Sequence, residues 1–326
     1  MMSLIEECSN ISLRIQKLEA LINGRLAYLH PIWPEVMNEY KRRLAGQRGE
    51  KSMYFHLSML SESKYQIYHG IRLLYRGFYF QIDFLVLCGA FALVLEVKNR
   101  SGELEFEKEF NQVTCKKNGQ KERINNPVSQ AKLQARKLRG WLRDHNIELP
   151  VHYLFVNSNE KTIILSDPGN EHITRHICNS ETLLEKMDQL EHFHKEEKLD
   201  AKELRKLRRL LLSRHTPENP DILKQFHLSP KEDILPGVIC PTCRFLPMNY
   251  HYGSWCCPKC NLKSKTAHIP AINDHFLLIK PSITSAELRA FLLVSSPSVG
   301  GKILASMNLP FSGTFRNRVY FSKKKK

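Results

Sequence analysis

The chain has 326 residues, enough to bury a sizeable core and to form two or three domains. Lysine and arginine outnumber aspartate and glutamate by 49 to 33, for a net charge of +16. Residues 1–200 carry 28 basic against 26 acidic side chains, whereas residues 201–326 carry 21 against 7. A surplus added only for solubility would be spread evenly. This uneven surplus predicts a C-terminal module that meets a polyanion, and nucleic acid is the expected partner.

Membrane and secretory classes are excluded at this level. The longest apolar run, Phe84 to Leu95, has 12 residues, which is too few to span a bilayer. The first ten residues are acidic and lack the apolar stretch of a signal peptide. Four of the nine cysteines form two C-P-x-C pairs, a pattern typical of a metal site rather than a disulfide framework. We therefore expect a cytoplasmic protein.

The N-terminal two thirds predict an α/β domain. Helices are expected over residues 11–45, with Pro31 and Pro34 interrupting, and over 47–61. Three strands then follow, with a turn at Cys88-Gly89-Ala90 between the last two: Tyr65–Leu74, Tyr79–Leu87 and Phe91–Asn99. Residues 100–125 are polar and charge-rich. A helix from Asn126-Pro127 to about His145 and two strands, Val151–Val156 and Thr162–Ser166, complete the order α-β-β-β-α-β.

The C-terminal third predicts smaller modules. Residues 180–215 are expected to be helical, with Asp200 and Glu203 forming a capping box, and prolines from 217 to 236 mark a linker. The predicted domains are a helical extension (1–40), the α/β domain (41–195), a basic helix and linker (196–236), a zinc ribbon (237–270) and a basic C-terminal unit (271–326).

The third predicted strand carries a candidate site. Period-two alternation places Val94, Glu96 and Lys98 on one face of that strand. Asp83 is the only charged residue between Gly77 and Glu96. With Gly89 near the turn, Asp83 and Glu96 are expected at matching ends of paired strands, within reach of one metal ion.

Helix 47–61 adds a third acid, because Glu50 lies in line with Met53, Leu57 and Leu60 on the face expected to meet the core. Three inward carboxylates and a lysine suit Mg²⁺, which takes one or two carboxylates together with water and phosphate oxygens. Two alternatives to a metal site stay open: Glu96 and Lys98 form only a structural ion pair, and Glu50 extends to solvent.

Taken in order, these motifs resemble a known family. Gly49-Glu50 opening a helix, Gln81-Ile82-Asp83, Glu96-Val97-Lys98-Asn99 and Asn126-Pro127-x-x-Gln130 resemble the NERD (nuclease-related) domain of the PD-(D/E)xK nuclease superfamily over about residues 40–155. The resemblance implies a restriction-endonuclease-like core in which Asp83 and Glu96 bind Mg²⁺ or Mn²⁺ and Lys98 is the catalytic lysine. It implies supporting roles for Glu50 and Gln130. Ile82 stands where the family pattern often has proline.

The cysteine pairs predict a structural zinc site. Cys240, Cys243, Cys257 and Cys260 supply four thiolates, with thirteen residues between the pairs. Proline inside each pair favours a tight turn that directs backbone N–H groups toward sulfur. Cys256 would break the matching pattern and is interpreted as a spare thiol.

Basic and aromatic residues surround these cysteines. Phe245, Tyr250, Tyr252 and Trp255 either stack on bases or pack the ribbon, and the sequence leaves both open. At the C-terminus, capped helices near Thr284 and Ser296 and a strand over 314–321 favour a winged-helix-like unit, with a small helical docking subdomain as the alternative. Lys323–Lys326 is expected to be a phosphate-seeking tail. The candidate nucleic-acid-binding residues are Arg244, Lys259, Lys263, Lys265, Lys302, Arg316 and Arg318.

The sequence therefore predicts a metal-dependent nuclease that hydrolyses phosphodiester bonds, in DNA rather than RNA, targeted by the zinc ribbon and the basic C-terminal region. Two other functions stay open: a non-catalytic nucleic-acid-binding protein that keeps the nuclease fold as a scaffold, and a zinc-ribbon adaptor for a DNA-processing partner.

Overall fold

The computed structural model describes residues 5–8, 12–314 and 317–323. The chain forms two compact units, the first from residues 1–10 and 43–218 and the second from residues 11–42 and 219–326. The chain changes from one unit to the other after residues 10, 42 and 218, and the second change falls within helix α2 (Trp33–Leu57). This helix is continuous where two helices were predicted. Pro34 lies in its first turn, where proline is tolerated, and residues 45–49 are helical.

Unit 1 contains a six-stranded sheet in the order β1-β2-β3-β4-β8-β10. Strands β2, β3 and β4 are antiparallel, and the remaining neighbours are parallel. The strands are β1 (Ile5–Glu7), β2 (Gln66–Tyr75), β3 (Phe78–Leu87), β4 (Ala92–Lys98), β8 (Val151–Asn157) and β10 (Ile177–Asn179). The predicted turn between β3 and β4 is confirmed by a hydrogen bond of 3.0 Å from the N–H of Cys88 to the carbonyl of Phe91.

A second sheet joins three strands from the stretch that was predicted only as polar, residues 100–125, with the predicted strand Thr162–Ser166. Its order is β7-β6-β5-β9, with β5 (Gly102–Phe106), β6 (Val113–Lys117), β7 (Gln120–Ile124) and β9 (Thr162–Ser166). Strand β7 has no buried residue. Because its side chains are solvated and charged, hydrophobic patterning does not predict this strand. Its hydrogen-bonded pairing with β6 defines it.

The helices of unit 1 cover both faces of the six-stranded sheet. They are α3 (Pro127–Asp144), α4 (Glu171–Thr174), α5 (Leu183–Phe193) and α6 (Ala201–Arg214), with a 3₁₀ turn at Ser180–Thr182 and the second half of α2. Helix α3 begins as predicted, because the side chain of Asn126 accepts hydrogen bonds from the N–H groups of Val128 and Ser129. The predicted helix over 180–215 is instead two helices, α5 and α6, and the second carries the expected Asp200–Glu203 capping box.

Strand β4 is buried on both faces, as its apolar sequence predicted. Leu93, Leu95 and Val97 pack with Met53 and Leu57 of α2. Val94 packs on the other side of the sheet with Ala135 and Leu138 of α3. The strand that carries Glu96 and Lys98 is therefore held between two hydrophobic layers.

The alternation of side chains along β2 is interrupted opposite Asp83. Ile67 faces the core layer of α2, whereas Ile71 faces that of α3, although simple alternation would put both on one face. Between them Gly70 has a φ of +70°, and the register places it opposite Asp83, between the pairs His69–Phe84 and Ile71–Ile82. Glycine adopts this conformation without strain, so the bend falls beside the candidate site.

Unit 2 is built around a core of its own that includes the cysteine-rich segment. Its helices are α1 (Leu13–Ala20), a π-helical turn (Leu21–Arg25), the first part of α2, α7 (Ile222–Gln225), α8 (His268–Leu278), α9 (Ser285–Leu292) and α10 (Pro297–Ser306). Arg25 is fully buried here, and its Nε lies 2.8 Å from the carboxylate of Asp274. Its Nη1 donates to the carbonyls of Leu235 and Gly237.

Two small sheets complete unit 2. The first joins β11 (Asn249–His251), β12 (Ser254–Cys256) and β13 (Lys263–Ser264). The second joins β14 (Ser282–Thr284), β16 (Val319–Phe321) and β15 (Phe311–Ser312), in the order β14-β16-β15. The succession α8-β14-α9-α10-β15-β16 gives the C-terminal part the winged-helix-like arrangement, with Thr284 and Ser296 capping α9 and α10 as predicted.

The compact units group the chain differently from the predicted domain boundaries. Residues 12–42 pack with the cysteine-rich segment, and α6 packs in unit 1 through Leu207 and Leu211. Among the described residues, no helix combines the length and apolarity that a membrane crossing requires.

Candidate functional site

Asp83 and Glu96 come together where β3 and β4 leave their ladder. The last ladder pair is Phe84 with Leu95, so Asp83 and Glu96 are next on each strand. The N–H of Val97 donates to Oδ2 of Asp83 at 2.8 Å, which fixes that carboxylate against β4. Glu96 is buried, with 1% of its surface exposed.

Lys98 lies on the same strand and forms an ion pair with Glu96 through its ammonium group. Two thirds of the Lys98 side chain is buried. Burial by itself lowers the pKa of Lys98, but Asp83, Glu96 and Glu50 outweigh it and leave that pKa raised. The ammonium therefore remains charged beside the carboxylates.

The ionised forms of Asp83 and Glu96 are disfavoured. Burial raises the pKa of Asp83 well above its usual value, and the charges of Glu96 and Glu50 raise it further. Burial also raises the pKa of Glu96, although Lys98 opposes the shift. Lys98 pairs directly only with Glu96, and an added cation would stabilise the ionised forms of both Asp83 and Glu96.

Glu50 points toward the sheet, as the helical spacing predicted, and it meets a partner that the sequence reasoning missed. Its Oε2 lies 2.7 Å from Nε2 of His69 in β2. Nδ1 of the same ring lies 2.9 Å from the hydroxyl of Tyr54, which donates to Glu7 at 2.6 Å. The His69 ring stacks on Phe84. A histidine in an apolar strand, two residues from Ile67 and Ile71, was the only available signal.

Gly49 allows α2 to approach the end of β4. A Cβ at this position would come within 2.4 Å of Cβ of Asn99 and 2.9 Å of Oγ of Ser158. Any larger side chain would force the helix away. Gly49 therefore sets the distance at which the next residue, Glu50, faces the acidic cluster.

Gln130 lies in the first turn of α3 and is half-buried, but among the described residues its side chain has no hydrogen bond to the acids or to Lys98. One turn later, Oε1 of Gln134 is buried without a partner. Asn157, which pairs with Lys98 across the sheet, likewise has a buried Oδ1 without a partner. These two amide oxygens were not singled out from the sequence.

The acidic residues fit a hard divalent cation by their chemistry. Carboxylate oxygens are the ligands that Mg²⁺ and Mn²⁺ prefer, and Asp83 and Glu96 are the two adjacent acids. The oxygens of Asp83, Glu96 and Glu50 do not form a three-residue cluster within 4.8 Å among the described residues. Two carboxylates, with Glu50 farther out, are therefore the set that could hold such an ion.

In unit 2 the four predicted cysteines converge. The sulfur atoms of Cys240, Cys243, Cys257 and Cys260 all lie within 4.8 Å of one another. Sγ of Cys240 is 3.6 Å from that of Cys260, and Sγ of Cys243 is 3.5 Å from that of Cys257. A tetrahedral zinc site with Zn–S bonds near 2.3 Å requires sulfur separations of about 3.8 Å. The cluster is compatible with a zinc ribbon.

The two C-P-x-C turns have the same backbone. Arg244 and Asn261, each following the second cysteine of a pair, have φ values of 62° and 58°. Burial raises the pKa of the Cys257 thiol, but the backbone N–H groups of Cys260 and Lys259 outweigh burial and lower that pKa to about 6. The predicted N–H groups directed at sulfur are therefore present, and they favour the thiolate that binds metal. Cys256 lies outside the cluster.

The aromatic residues near the cysteines divide between the two predicted roles. Trp255 is buried, and its Nε1 donates to His268 at 3.1 Å, so it packs the core. Tyr250 packs against Trp255 at 5.0 Å. Tyr252 is fully exposed at the β11–β12 turn, and Phe245 is 36% exposed. Only these last two could stack on a ligand.

Most of the candidate nucleic-acid-binding residues are on the surface. Arg244 is exposed and donates to the carbonyl of Asn23. Arg318 is half-buried, with its guanidinium over the ring of Phe311 at 4.2 Å. Arg316 and the last three lysines of the tail, 324–326, lie outside the described residues. The remaining candidates are exposed: Lys259, Lys263, Lys265 and Lys302.

Comparison with known proteins gives one match. Residues 45–158 match the family model described as the nuclease-related domain, which covers about a third of the chain. The matched segment runs from the middle of α2 to just past the end of β8, and it contains Glu50, Asp83, Glu96, Lys98 and Gln130. No curated protein and no solved structure matches the chain.

Proposed function

Because residues 45–158 form a nuclease-related domain, we propose that the protein is a metal-dependent nuclease that hydrolyses phosphodiester bonds in DNA. The observation that carries the proposal is the meeting of Asp83, Glu96 and Lys98 where β3 and β4 diverge. Lys98 pairs directly with Glu96, so Asp83 is the buried acid whose charged form costs stability unless a cation binds beside it.

In this proposal Asp83 and Glu96 hold Mg²⁺ or Mn²⁺, which when bound makes water a better nucleophile and offsets charge on the phosphate. The Val97 N–H orients Asp83. Lys98 keeps its proton beside the acids, so it donates to the attacking water and stabilises negative charge on the phosphate. Glu50, oriented by His69, borders the site from α2, and Gln130 positions the substrate from α3.

Unit 2 would target the enzyme to its substrate. It carries 20 basic against 8 acidic residues, whereas unit 1 carries 29 against 25. The zinc ribbon would present Arg244, Lys259, Lys263 and Lys265, and the winged-helix-like part would present Lys302, Arg316 and Arg318, to phosphates. A cytoplasmic location would keep the zinc-binding thiols reduced.

Cleavage assays test the proposal directly. Full-length protein is incubated with labelled single- and double-stranded DNA and RNA in Mg²⁺, Mn²⁺ or EDTA. We expect metal-dependent cleavage of DNA, and a loss of about 10³-fold in D83N, E96Q and K98A, because metal and lysine together supply several kcal/mol. The exposed acids Asp144 and Glu148 give the matched controls D144N and E148Q, which should cleave normally.

Thermal unfolding adds a readout that does not need activity. The raised pKa of Asp83 means that its charged form destabilises the fold. D83N should therefore raise the Tm in EDTA, and Mn²⁺ should raise the Tm of the wild type more than that of D83N. Absence of cleavage on every substrate, together with no Tm response to Mn²⁺, would contradict the nuclease proposal.

A non-catalytic nucleic-acid-binding scaffold is the second candidate. The direct ion pair between Lys98 and Glu96 favours it, since this pair neutralises the buried acid without a metal. It predicts salt-dependent DNA binding with no metal-dependent cleavage. An adaptor for a DNA-processing partner predicts neither property.

A further inference from the structure

A polar cleft in unit 1 begins at the residue after Lys98. It has a volume of about 710 Å³. Its floor and walls come from the loop Asn99–Ser101, which follows β4, and from the hairpin of β6 and β7. Arg100, Lys117 and Lys121 line it, and Glu122 is its only acidic residue.

The loop side of the cleft is held in place. The carbonyl of Lys98 accepts from the N–H of Ser158 at 3.0 Å. Oδ1 of Asn99 accepts from Nδ2 of Asn159 at 2.9 Å, and the carbonyl of Arg100 accepts from the Thr162 hydroxyl. Because these contacts tie the loop to β8 and β9, the position of Arg100 relative to Lys98 is fixed by the sheets.

The hairpin side is also held closely. A Cβ on Gly102 would come within 2.3 Å of the carbonyl of Lys116, so glycine allows β5 and β6 to approach there. Asn118 and Gly119 form the turn with φ values of 51° and 78°. This short turn presents Lys117 and Gln120 at its two ends.

The charges in the cleft differ in how far they are neutralised. Lys121 pairs with Glu105 at 2.5 Å, and Arg100 approaches Glu122 only at 3.7 Å. Lys117 is exposed and has no ion pair among the described residues. Lys117 and Arg100 are therefore the cations most available to an anion, with the amides of Asn99, Asn118 and Gln120 beside them.

We propose that this cleft binds the phosphate backbone of the substrate next to the cleaved bond. Arg100 is two residues from Lys98, at most about 7 Å along an extended chain. A nucleic-acid strand rises about 3.4 Å per nucleotide, so the cleft receives phosphates one to a few nucleotides from the cleavage point. This inference rests on the proposed nuclease function, and it assigns to unit 1 a substrate contact separate from the basic surface of unit 2.

The adjacent lysines of β6 provide a matched pair for the test. Lys116 lies next to Lys117 but on the other face of the strand, where it pairs with Glu103 at 3.5 Å, and it does not line the cleft. K117Q and K116Q remove the same charge from neighbouring exposed positions. Only K117Q should affect the cleft.

The first measurement is amine acetylation of the full-length protein, with and without a 30-nucleotide DNA in EDTA, read by mass spectrometry. Lys117 should be protected by DNA, and Lys116 should not. This result does not depend on cleavage. Equal protection of both lysines, or of neither, would overturn the cleft as a backbone site, whatever the outcome for the nuclease activity.

The second measurement uses kinetics and salt. K117Q and R100Q should each lower kcat/KM for DNA by about 5- to 10-fold, and the slope of log Kd against log salt should fall by about 1. K116Q should change neither. If the wild type cleaves DNA and K117Q cleaves like K116Q, the cleft proposal fails while the nuclease proposal stands. If DNA protects Lys117 but neither the wild type nor any variant cleaves DNA, the cleft still binds the DNA backbone and the nuclease proposal fails.

Discussion

At the level of single residues, His69 connects the acidic cluster to the rest of the fold. It contacts Glu50 through one ring nitrogen and Tyr54 through the other, and it stacks on Phe84. A histidine with both nitrogens occupied and one face packed has a fixed orientation. We therefore expect it to act as a positioning residue that holds Glu50 toward the site.

Replacing His69 by phenylalanine tests this role. H69F keeps a ring against Phe84 but removes both nitrogens, so the fold should persist while Glu50 loses its orientation. We expect kcat to fall by about 10- to 100-fold with little change in KM, as for other residues that orient a ligand. Y54F, which leaves the Glu50–His69 contact intact, serves as the control. Equal losses in both variants would indicate a structural role only.

A pair of histidines in unit 1 predicts acid sensitivity. Nε2 of His152 lies 2.6 Å from Nε2 of His194. Burial lowers the pKa of His152 to about 4, and the neighbouring His194 lowers it as well. In the unfolded chain the pKa is about 6.5, so the unfolded state binds more protons between these values. Stability is then fully present above about pH 6.5 and is lost as the pH falls toward 4.

H152Q removes this titration. Its Tm should fall less steeply than that of the wild type between pH 6.5 and 4. The corresponding difference in the free energy of unfolding at pH 4 should be about 1 kcal/mol, smaller than the full pKa shift implies because the ring is only half-buried. H172Q, at an exposed histidine of the same unit, is the control. Parallel pH profiles for wild type and H152Q would rule out the buried pair as the cause.

At the level of elements, the folding of the two C-P-x-C turns is expected to depend on bound zinc. The segment from β11 to β13 forms a small sheet of two to three residues per strand, in which Trp255 is the only fully buried aromatic residue. Apart from its packing on the core of unit 2, this sheet has little apolar burial of its own, so zinc should contribute much of its folding free energy.

C243S should abolish zinc binding and unfold the ribbon, because it removes one of four ligands. C256S is the matched control: Cys256 is adjacent to a ligand but lies outside the sulfur cluster. Elemental analysis should give one zinc per chain in wild type and C256S. Hydrogen exchange should show loss of protection in residues 237–270 of C243S, with unit 1 retained. A C243S protein with a protected ribbon would contradict the zinc assignment.

At the level of the whole molecule, the positive charge belongs mainly to unit 2, while the acidic cluster belongs to unit 1. Most of the affinity for nucleic acid and the chemistry are thus expected on different parts of the chain. Unit 2 would supply general affinity for nucleic acid, which depends on released counterions and hence on salt.

The triple variant K259Q/K263Q/K265Q tests where this affinity lies. All three lysines are exposed in or beside the ribbon. If each contacts a phosphate, the slope of log Kd against log salt should fall by about 3. The control K195Q/K202Q/K206Q removes the same charge from exposed positions of unit 1. If the control weakens DNA binding as much as the ribbon variant does, net charge alone governs affinity.

The sequence by itself determined those features that depend on neighbours along the chain. The C-P-x-C turns, the capping boxes at Asp200 and Thr284, the apolar strand β4 and the Asp83–Glu96–Lys98 motif all follow from local spacing and alternation. The family resemblance relied on the same local motifs, and the match over residues 45–158 confirms it.

Only the tertiary structure decided which distant residues meet. His69 of β2 meets Glu50 of α2 across the packing of helix on sheet, and Gly49 lets α2 approach Asn99. In the second sheet, β5 and β6 bury only two residues each and β7 buries none, so the cleft beside Lys98 emerges only when these strands pair. Long-range pairing depends on the packing free energy of the whole fold rather than on local preference, and for that reason the sequence pattern could not reveal these contacts.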